Sequence, residues 1–259
     1  MEKYLEPVNE LIPIHQGVAG FNPALGQLYP VVIVEGERML IYDCLDDHGR
    51  YQFIKSIPAP MPIPTGVRAA FQLEDYDGRI ACVVTPEVFD TPEGYVTLLH
   101  EFVHCYQYET CEQALKSKLD IARLAQENED VMWEIQHPFP YQAAVFIRAY
   151  TRFLDAIATG DQPSLRMARG ELYDYLGLHD FEYLVWQEWK EGFARWVENC
   201  TQQKLGLSEN HGGLKPPFSR VTFYAGGAAY IDFLQAREPH LVNDLEVLFA
   251  RMAEPLSIN

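Results

Sequence analysis

The chain contains 259 residues and carries a formal net charge of −17, from 20 Lys and Arg against 37 Asp and Glu. An acidic surface repels phosphate backbones, and no stretch is rich in basic residues, so nucleic-acid binding is not expected. With 48% hydrophobic and 22% charged residues, the composition is that of a globular protein. The length allows one large domain or two small ones.

The sequence also bears on location. No apolar run reaches the roughly 18 residues needed to cross a bilayer, and the N-terminus lacks the uninterrupted apolar core of a secretory signal. The five cysteines form no CxxC pair, which is typical of free thiols in a reducing compartment. We therefore expect a cytoplasmic protein without membrane contacts, and the sequence leaves its oligomeric state open.

Three short apolar and β-branched runs come first in the chain, at residues 28–35, 38–43 and 51–57. Turn-forming residues separate them, which predicts a β-meander. A segment with proline at every second position follows, at 57–66. It marks either a domain boundary or an extended strap on the surface of one domain.

These patterns divide the chain into an N-terminal β-meander region of unassigned role, residues 1–60, and a second region, residues 61–259, which contains the motifs described below. Within the second region, residues 67–73 and 79–85 flank a turn and predict a hairpin. Thr91 and Pro92 then mark a helix start, and the pattern predicts a helix to about residue 110. Further helices are predicted at about 111–128, 141–159, 164–177, 181–204, 219–236 and 240–252. Strands followed by helices indicate the α+β class.

The sequence HEFVH, from His100 to His104, lies inside the helix predicted after Pro92. Residues four apart share one helix face, so His100 and His104 can reach one metal ion. Glu101 lies beside that face and can take a proton from a water on the metal as it attacks a carbonyl carbon. The pattern predicts a zinc site, and two core histidines beside a surface glutamate are the alternative interpretation.

A catalytic zinc site needs a third protein ligand. Metzincins place it in HExxHxxGxxH, but Gln107 and Thr110 stand at the required Gly and His positions. Thermolysin-like and aminopeptidase-like enzymes place a Glu about 19 residues after the motif, where this chain has Arg123 and Leu124. The GxMEN signature of aminopeptidases is also missing from the sequence.

A segment farther along, EGFARWVE from Glu191 to Glu198, resembles the EGxAxYxE signature of several gluzincin families, with Trp196 where the families usually have Tyr. The resemblance covers about residues 67–236 and implies a zincin-like fold with Glu191 as the third zinc ligand. Glu198, seven residues later on the same helix face, would accept a hydrogen bond from one of the zinc ligands and so orient it. Gly192 would let this helix lie close to the HEFVH helix. Glu188 is the alternative ligand, and a solvated helix charge is the alternative interpretation of Glu191.

The resemblance extends to two more features. The gluzincin families often continue with a helix of the form YxxGxxFxxxL, which the segment beginning at Tyr224 resembles. A Tyr near the metal can stabilise the oxyanion. Tyr224 is the candidate for this role, and Tyr230 is the alternative. The other interpretation is that both tyrosines only pack in the helix. In gluzincins an edge strand holds the extended substrate, and residues 78–89 are the candidate here, with an ordinary core strand as the alternative.

Taken together, the sequence predicts a zinc-dependent metallopeptidase that hydrolyses a peptide or protein substrate. His100, His104 and Glu191 are the predicted zinc ligands, and Glu101 and Tyr224 the predicted catalytic residues. The alternatives are a zinc-binding protein of the same fold that serves as a partner-binding or regulatory module, and a metal-free protein with a chance motif.

Overall fold

The computed structural model describes residues 2–44 and 49–254. An N-terminal helix that the sequence did not predict, α1 (Leu5–Val18), opens the chain. It buries Val8, Leu11, His15 and Val18, which recur every three or four residues along one face. Two prolines obscured this pattern. Pro7 lies in the first turn, where no N–H is needed, and Pro13 lies inside the helix, where it is unfavourable.

A five-stranded sheet follows, with strand order β3-β2-β1-β5-β4. Its strands are β1 (Val31–Glu35), β2 (Arg38–Asp43), β3 (Gln52–Pro58), β4 (Arg68–Leu73) and β5 (Arg79–Val84). The predicted meander is confirmed as β1, β2 and β3, which pair antiparallel, and the predicted hairpin is confirmed as β4 and β5. A parallel pairing of β1 with β5 joins the two parts.

The position of β5 corrects one expectation. Residues 78–89 were expected to supply an edge strand, but β5 pairs with β1 on one side and with β4 on the other. Its central residues are fully buried, as an interior strand requires. The substrate-holding edge therefore cannot be β5, and the other interpretation, a core strand, is the correct one.

The proline-rich segment is an ordered strap. Ala59, Ile63 and Val67 are partly buried against the core cluster on one face of the sheet, which contains Val32, Ile41 and Val83. Because the sheet takes strands from both sides of this segment, the second interpretation of the prolines fits the structure.

The helix that carries HEFVH is α2 (Pro92–Gln107), and its predicted start is confirmed. The side chain of Thr91 accepts a hydrogen bond from the backbone N–H of Gly94, as an N-cap does. The helix packs against β4 and β5. It continues into a π-helical turn, Tyr108–Glu112, rather than ending.

The remainder of the chain is mainly helical. Its helices are α3 (Gln113–Lys116), α4 (Asp120–Glu127), α5 (Trp133–Gln136), α6 (Ala144–Thr159), α7 (Gln162–Leu205), α8 (Val221–Gln235) and α9 (Leu245–Ala253). Gly177 interrupts α7 with a left-handed φ of 68°, near the gap predicted between 177 and 181. The α+β class is confirmed. No helix within residues 2–44 and 49–254 has the length and apolar character of a membrane span.

The chain divides into two compact units. One comprises residues 1–110 with 197–209 and contains the sheet, α1 and α2. The other comprises residues 111–196 with 210–259 and is built from helices.

Within the helical unit, α7 and α8 cross at two glycines. A Cβ on Gly192 would lie 2.6 Å from the Cα of Gly227, and a Cβ on Gly227 would lie 2.2 Å from the carbonyl oxygen of Glu188. Gly192 was expected to admit the HEFVH helix, but the helix that it admits is α8. The sequence therefore predicted correctly that Gly192 permits a close helix contact, but it named the wrong helix as the neighbour at that contact.

Candidate metal centre

The helix α2 presents both motif histidines from one face. Only 6% of the surface of His100 and 8% of that of His104 is exposed to solvent. Glu101, in the same helix turn, is 6% exposed. Burying three such polar groups is unfavourable unless each finds a partner. This burial argues against a solvated helix face.

The two imidazoles converge through the same ring atom. The Nε2 atoms of His100 and His104 are 3.2 Å apart, and the rings lie edge to face with centroids 4.9 Å apart. Two nitrogen ligands of a tetrahedral zinc ion, each about 2.0–2.1 Å from the metal, are separated by about 3.3 Å. The observed separation fits that requirement.

The opposite nitrogen of each ring has its own acceptor. His100 donates from Nδ1 to the Glu198 carboxylate at 2.8 Å, and His104 donates from Nδ1 to the amide oxygen of Gln107 at 2.8 Å. A hydrogen on Nδ1 leaves a lone pair on Nε2 in the neutral ring. Two such lone pairs facing each other repel, and a shared cation turns this repulsion into attraction. The hydrogen bond from His100 to Glu198 is the supporting contact that the sequence predicted for Glu198.

Glu191 lies on α7, two turns before Glu198 and on the same face. Among the described residues, His100, His104 and Glu191 form a group whose ligand atoms all lie within 4.8 Å of one another. These are the three positions that the sequence predicts as metal ligands. One oxygen of Glu191 also accepts a hydrogen bond from Nη1 of Arg220 at 3.2 Å.

Glu188, the alternative third ligand, is committed elsewhere. Its side chain is fully buried, with one oxygen 2.8 Å from the Tyr150 hydroxyl and the other 2.6 Å from Nη1 of Arg169. Burial raises the pKa of this carboxyl, and the Arg169 charge opposes the rise. With both oxygens engaged inside the helical unit, Glu188 is a poorer candidate for the third ligand than Glu191.

The two candidate tyrosines have different surroundings. The Tyr224 ring contacts two guanidinium groups, 5.5 Å from that of Arg195 and 5.2 Å from that of Arg220. Arg220 contacts both Tyr224 and Glu191, so it links Tyr224 to a predicted ligand. Tyr230 is buried, with its ring 5.2 Å from Phe153, and packs in the core. Tyr224 is the better placed of the two.

Glu101 lies close to two thiols. Burial raises the pKa of Cys82 and Cys105 well above the usual range, and the negative charge of Glu101 adds to both shifts. Cys105 therefore stays protonated beside the site, consistent with a packing role.

Two residues of the site were missed in the sequence. Gln107 had a local signal, because it lies three residues after His104 on the same helix. Arg220 had none, since it follows a Gly- and Pro-rich loop and reaches Glu191 across 29 residues of sequence.

The donor set suits zinc. Two imidazole nitrogens and one carboxylate oxygen are the His₂Glu ligands of catalytic zinc sites, which leave a fourth position for water or substrate. Hydrogen bonds to the far side of both rings are the support that such ligands require.

No protein-family model matches this chain, and neither the curated proteins nor the solved structures give a significant match. The geometry of the site itself is therefore the only basis on which a function can be proposed.

Proposed function

We propose that this protein is a zinc-dependent metallopeptidase with a zincin-like fold of the gluzincin type. The observation that carries the proposal is the pairing of the two imidazoles, with Nε2 atoms 3.2 Å apart and both Nδ1 atoms engaged by acceptors. A chance motif gives no reason for four buried polar side chains to adopt this arrangement. The grouping of Glu191 with the histidines supports the same conclusion.

His100, His104 and Glu191 would hold the metal. When bound, zinc supplies a Lewis acid that polarises a substrate carbonyl and lowers the pKa of water. Glu198 and Gln107 hold the two rings so that their Nε2 atoms face each other, where a metal would bind. Their hydrogen bonds fix the ring orientation before substrate arrives, which reduces the reorganisation needed at the moment of reaction.

Glu101 is the general base. It accepts a proton from the water whose oxygen attacks the peptide carbonyl carbon, and it delivers that proton to the amine nitrogen as the C–N bond breaks. Tyr224 donates a hydrogen bond from its hydroxyl to the oxyanion that forms on the carbonyl. Contacts with the guanidinium groups of Arg195 and Arg220 hold its ring in place.

Metal analysis and a glutamate substitution test the proposal together. Protein purified without chelator should contain one zinc per chain, and His100→Ala should lose it. Glu101→Gln keeps the shape of the side chain but removes the base, so turnover of a peptide mixture should be abolished while zinc remains bound.

The outcomes separate the proposal from its alternatives. Peptide cleavage retained by Glu101→Gln would remove that residue from its role. Full zinc occupancy without cleavage in a broad peptide screen would favour a partner-binding or regulatory module. Protein without metal would refute the proposed function.

A further inference from the structure

Arg220 makes an unusual pair of contacts beside the metal centre. It lies immediately before α8, and its Nη1 atom is 3.2 Å from Oε1 of Glu191 and 3.2 Å from Oε1 of Gln187. Gln187 and Glu191 are four residues apart on α7, so they occupy one helix face. A single guanidinium nitrogen therefore spans one turn of the helix that carries the third ligand.

The amide of Gln187 is itself oriented. Its Nε2 donates to the backbone carbonyl of Glu134 at 2.9 Å, which turns its oxygen toward Arg220. Gln187 is almost completely buried, so this orientation does not depend on solvent. Arg220 thus has an acceptor of its own and does not depend on Glu191 for its position.

Arg220 also contacts an aromatic ring. Tyr224 lies one helical turn after Arg220, with its ring centroid 5.2 Å from the guanidinium carbon. The hydrogen bond to Gln187 and the contact with the Tyr224 ring therefore place Arg220 before any metal binds.

We propose that Arg220 is a positioning residue that holds Oε1 of Glu191 and so presents the other oxygen, Oε2, to the metal. The proposal rests on the proposed function, because it takes Glu191 as the third zinc ligand. A carboxylate held by a hydrogen bond at one oxygen loses less rotamer freedom when the other oxygen binds.

An opposing effect makes the sign of the result informative. Arg220 is a cation, and its charge repels a divalent metal. If Arg220 served as a counterion that zinc must displace from Glu191, its removal would strengthen zinc binding. If it positions Glu191, its removal weakens zinc binding, by the roughly 10–100-fold typical of groups that support metal ligands.

Zinc affinity, measured by competition with a chromogenic chelator, tests the proposal without requiring a substrate. We expect Arg220→Ala to raise the zinc dissociation constant about 10–100-fold. Arg220→Lys keeps a donor and should show a smaller rise. Arg152→Ala serves as the matched control, since it removes an arginine that pairs with Glu171 on the surface of the same unit, and it should bind zinc like the wild type. Circular dichroism of each variant checks that the chain is folded.

A double-mutant cycle distinguishes positioning from general destabilisation. If Arg220 acts through Glu191, the effect of Arg220→Ala should disappear in a Glu191→Ala background. Unchanged or tighter zinc binding by Arg220→Ala would overturn the proposal, and so would an effect that persists in the Glu191→Ala background. If His100→Ala leaves zinc binding unchanged, the proposed function fails as a whole; if His100→Ala abolishes binding and Arg220→Ala does not weaken it, only the role of Arg220 fails.

Discussion

The crossing of α7 and α8 provides a quantitative test of the helical unit. A Cβ placed on Gly192 would meet the Cα and carbonyl carbon of Gly227 at 2.6 and 2.8 Å, and the nitrogen of Ala228 at 3.0 Å. All three atoms belong to the backbone, so none can rotate away as a side chain would. Relieving the overlap requires the two helices to separate by roughly 1 Å, which a close-packed interior resists.

The expected magnitude for Gly192→Ala follows from two opposing effects. Alanine is favoured over glycine inside a helix by about 1 kcal/mol. Overpacking typically costs about 1–3 kcal/mol, and the backbone clash on Gly192 places it at the upper end of that range. We therefore expect a net loss of about 1–2 kcal/mol in the free energy of unfolding. Gly227→Ala should lose at least as much, because its Cβ would lie 2.2 Å from the Glu188 carbonyl oxygen.

Gly17→Ala is the matched control. Gly17 lies within α1, and a Cβ there would meet no atom within 4 Å, so the propensity gain stands alone and should stabilise by up to about 1 kcal/mol. Denaturant unfolding followed by circular dichroism measures all three variants. Tryptophan fluorescence adds a local report, since Trp133, Trp186, Trp189 and Trp196 all belong to the helical unit. Equal stability of Gly192→Ala and wild type would refute the close crossing.

Two further predictions concern charge. Burial alone would raise the pKa of Glu134, but Lys190 and Lys116 outweigh it and lower the pKa to about 2 from 4.5. A depressed carboxyl pKa stabilises the fold above pH 4.5, so roughly 3 kcal/mol should be lost as the pH falls from 4.5 to 2, and Glu134→Gln should show less of this pH dependence in denaturant titrations. Glu198→Gln replaces the charged acceptor of His100 with a neutral one and should weaken zinc binding about 10-fold or more in chelator competition. The matched control is Glu171→Gln, an exposed carboxylate that pairs with Arg152 before the break at Gly177, and equal affinities of the two variants would contradict the role of Glu198.

The features that the sequence predicted well depend on neighbours along the chain. The strands β1 to β5 follow from apolar runs between turn residues, and α2 follows from Thr91, Pro92 and the pattern after them. His100 and His104 converge because they are one helical turn apart. Glu198 lies on the same helix face as Glu191 because the two residues are two turns apart.

The features that the sequence did not predict depend on partners far away in the chain. The interior place of β5 depends on β1, about 50 residues earlier, and an apolar run reads the same at an edge or in the interior of a sheet. Likewise, a glycine at position 192 predicts that another helix packs closely there, but the sequence does not indicate which helix it is. Arg220 could not be assigned, because the acceptors Gln187 and Glu191 that define its role lie on another helix.

The parallel pairing of β1 with β5 has a consequence for the order of folding. The hairpins β1–β2 and β4–β5 close over short stretches and form quickly, whereas Val31 meets Cys82 only after about 50 residues are brought together. Such non-local pairing is slow. Because α2 packs not only on β4 and β5 but also on Pro23–Leu25, which precedes β1, the histidine helix gains its full supporting surface only when this late step is complete. Added metal should then make the refolded protein more resistant to denaturant without shortening the time that refolding takes.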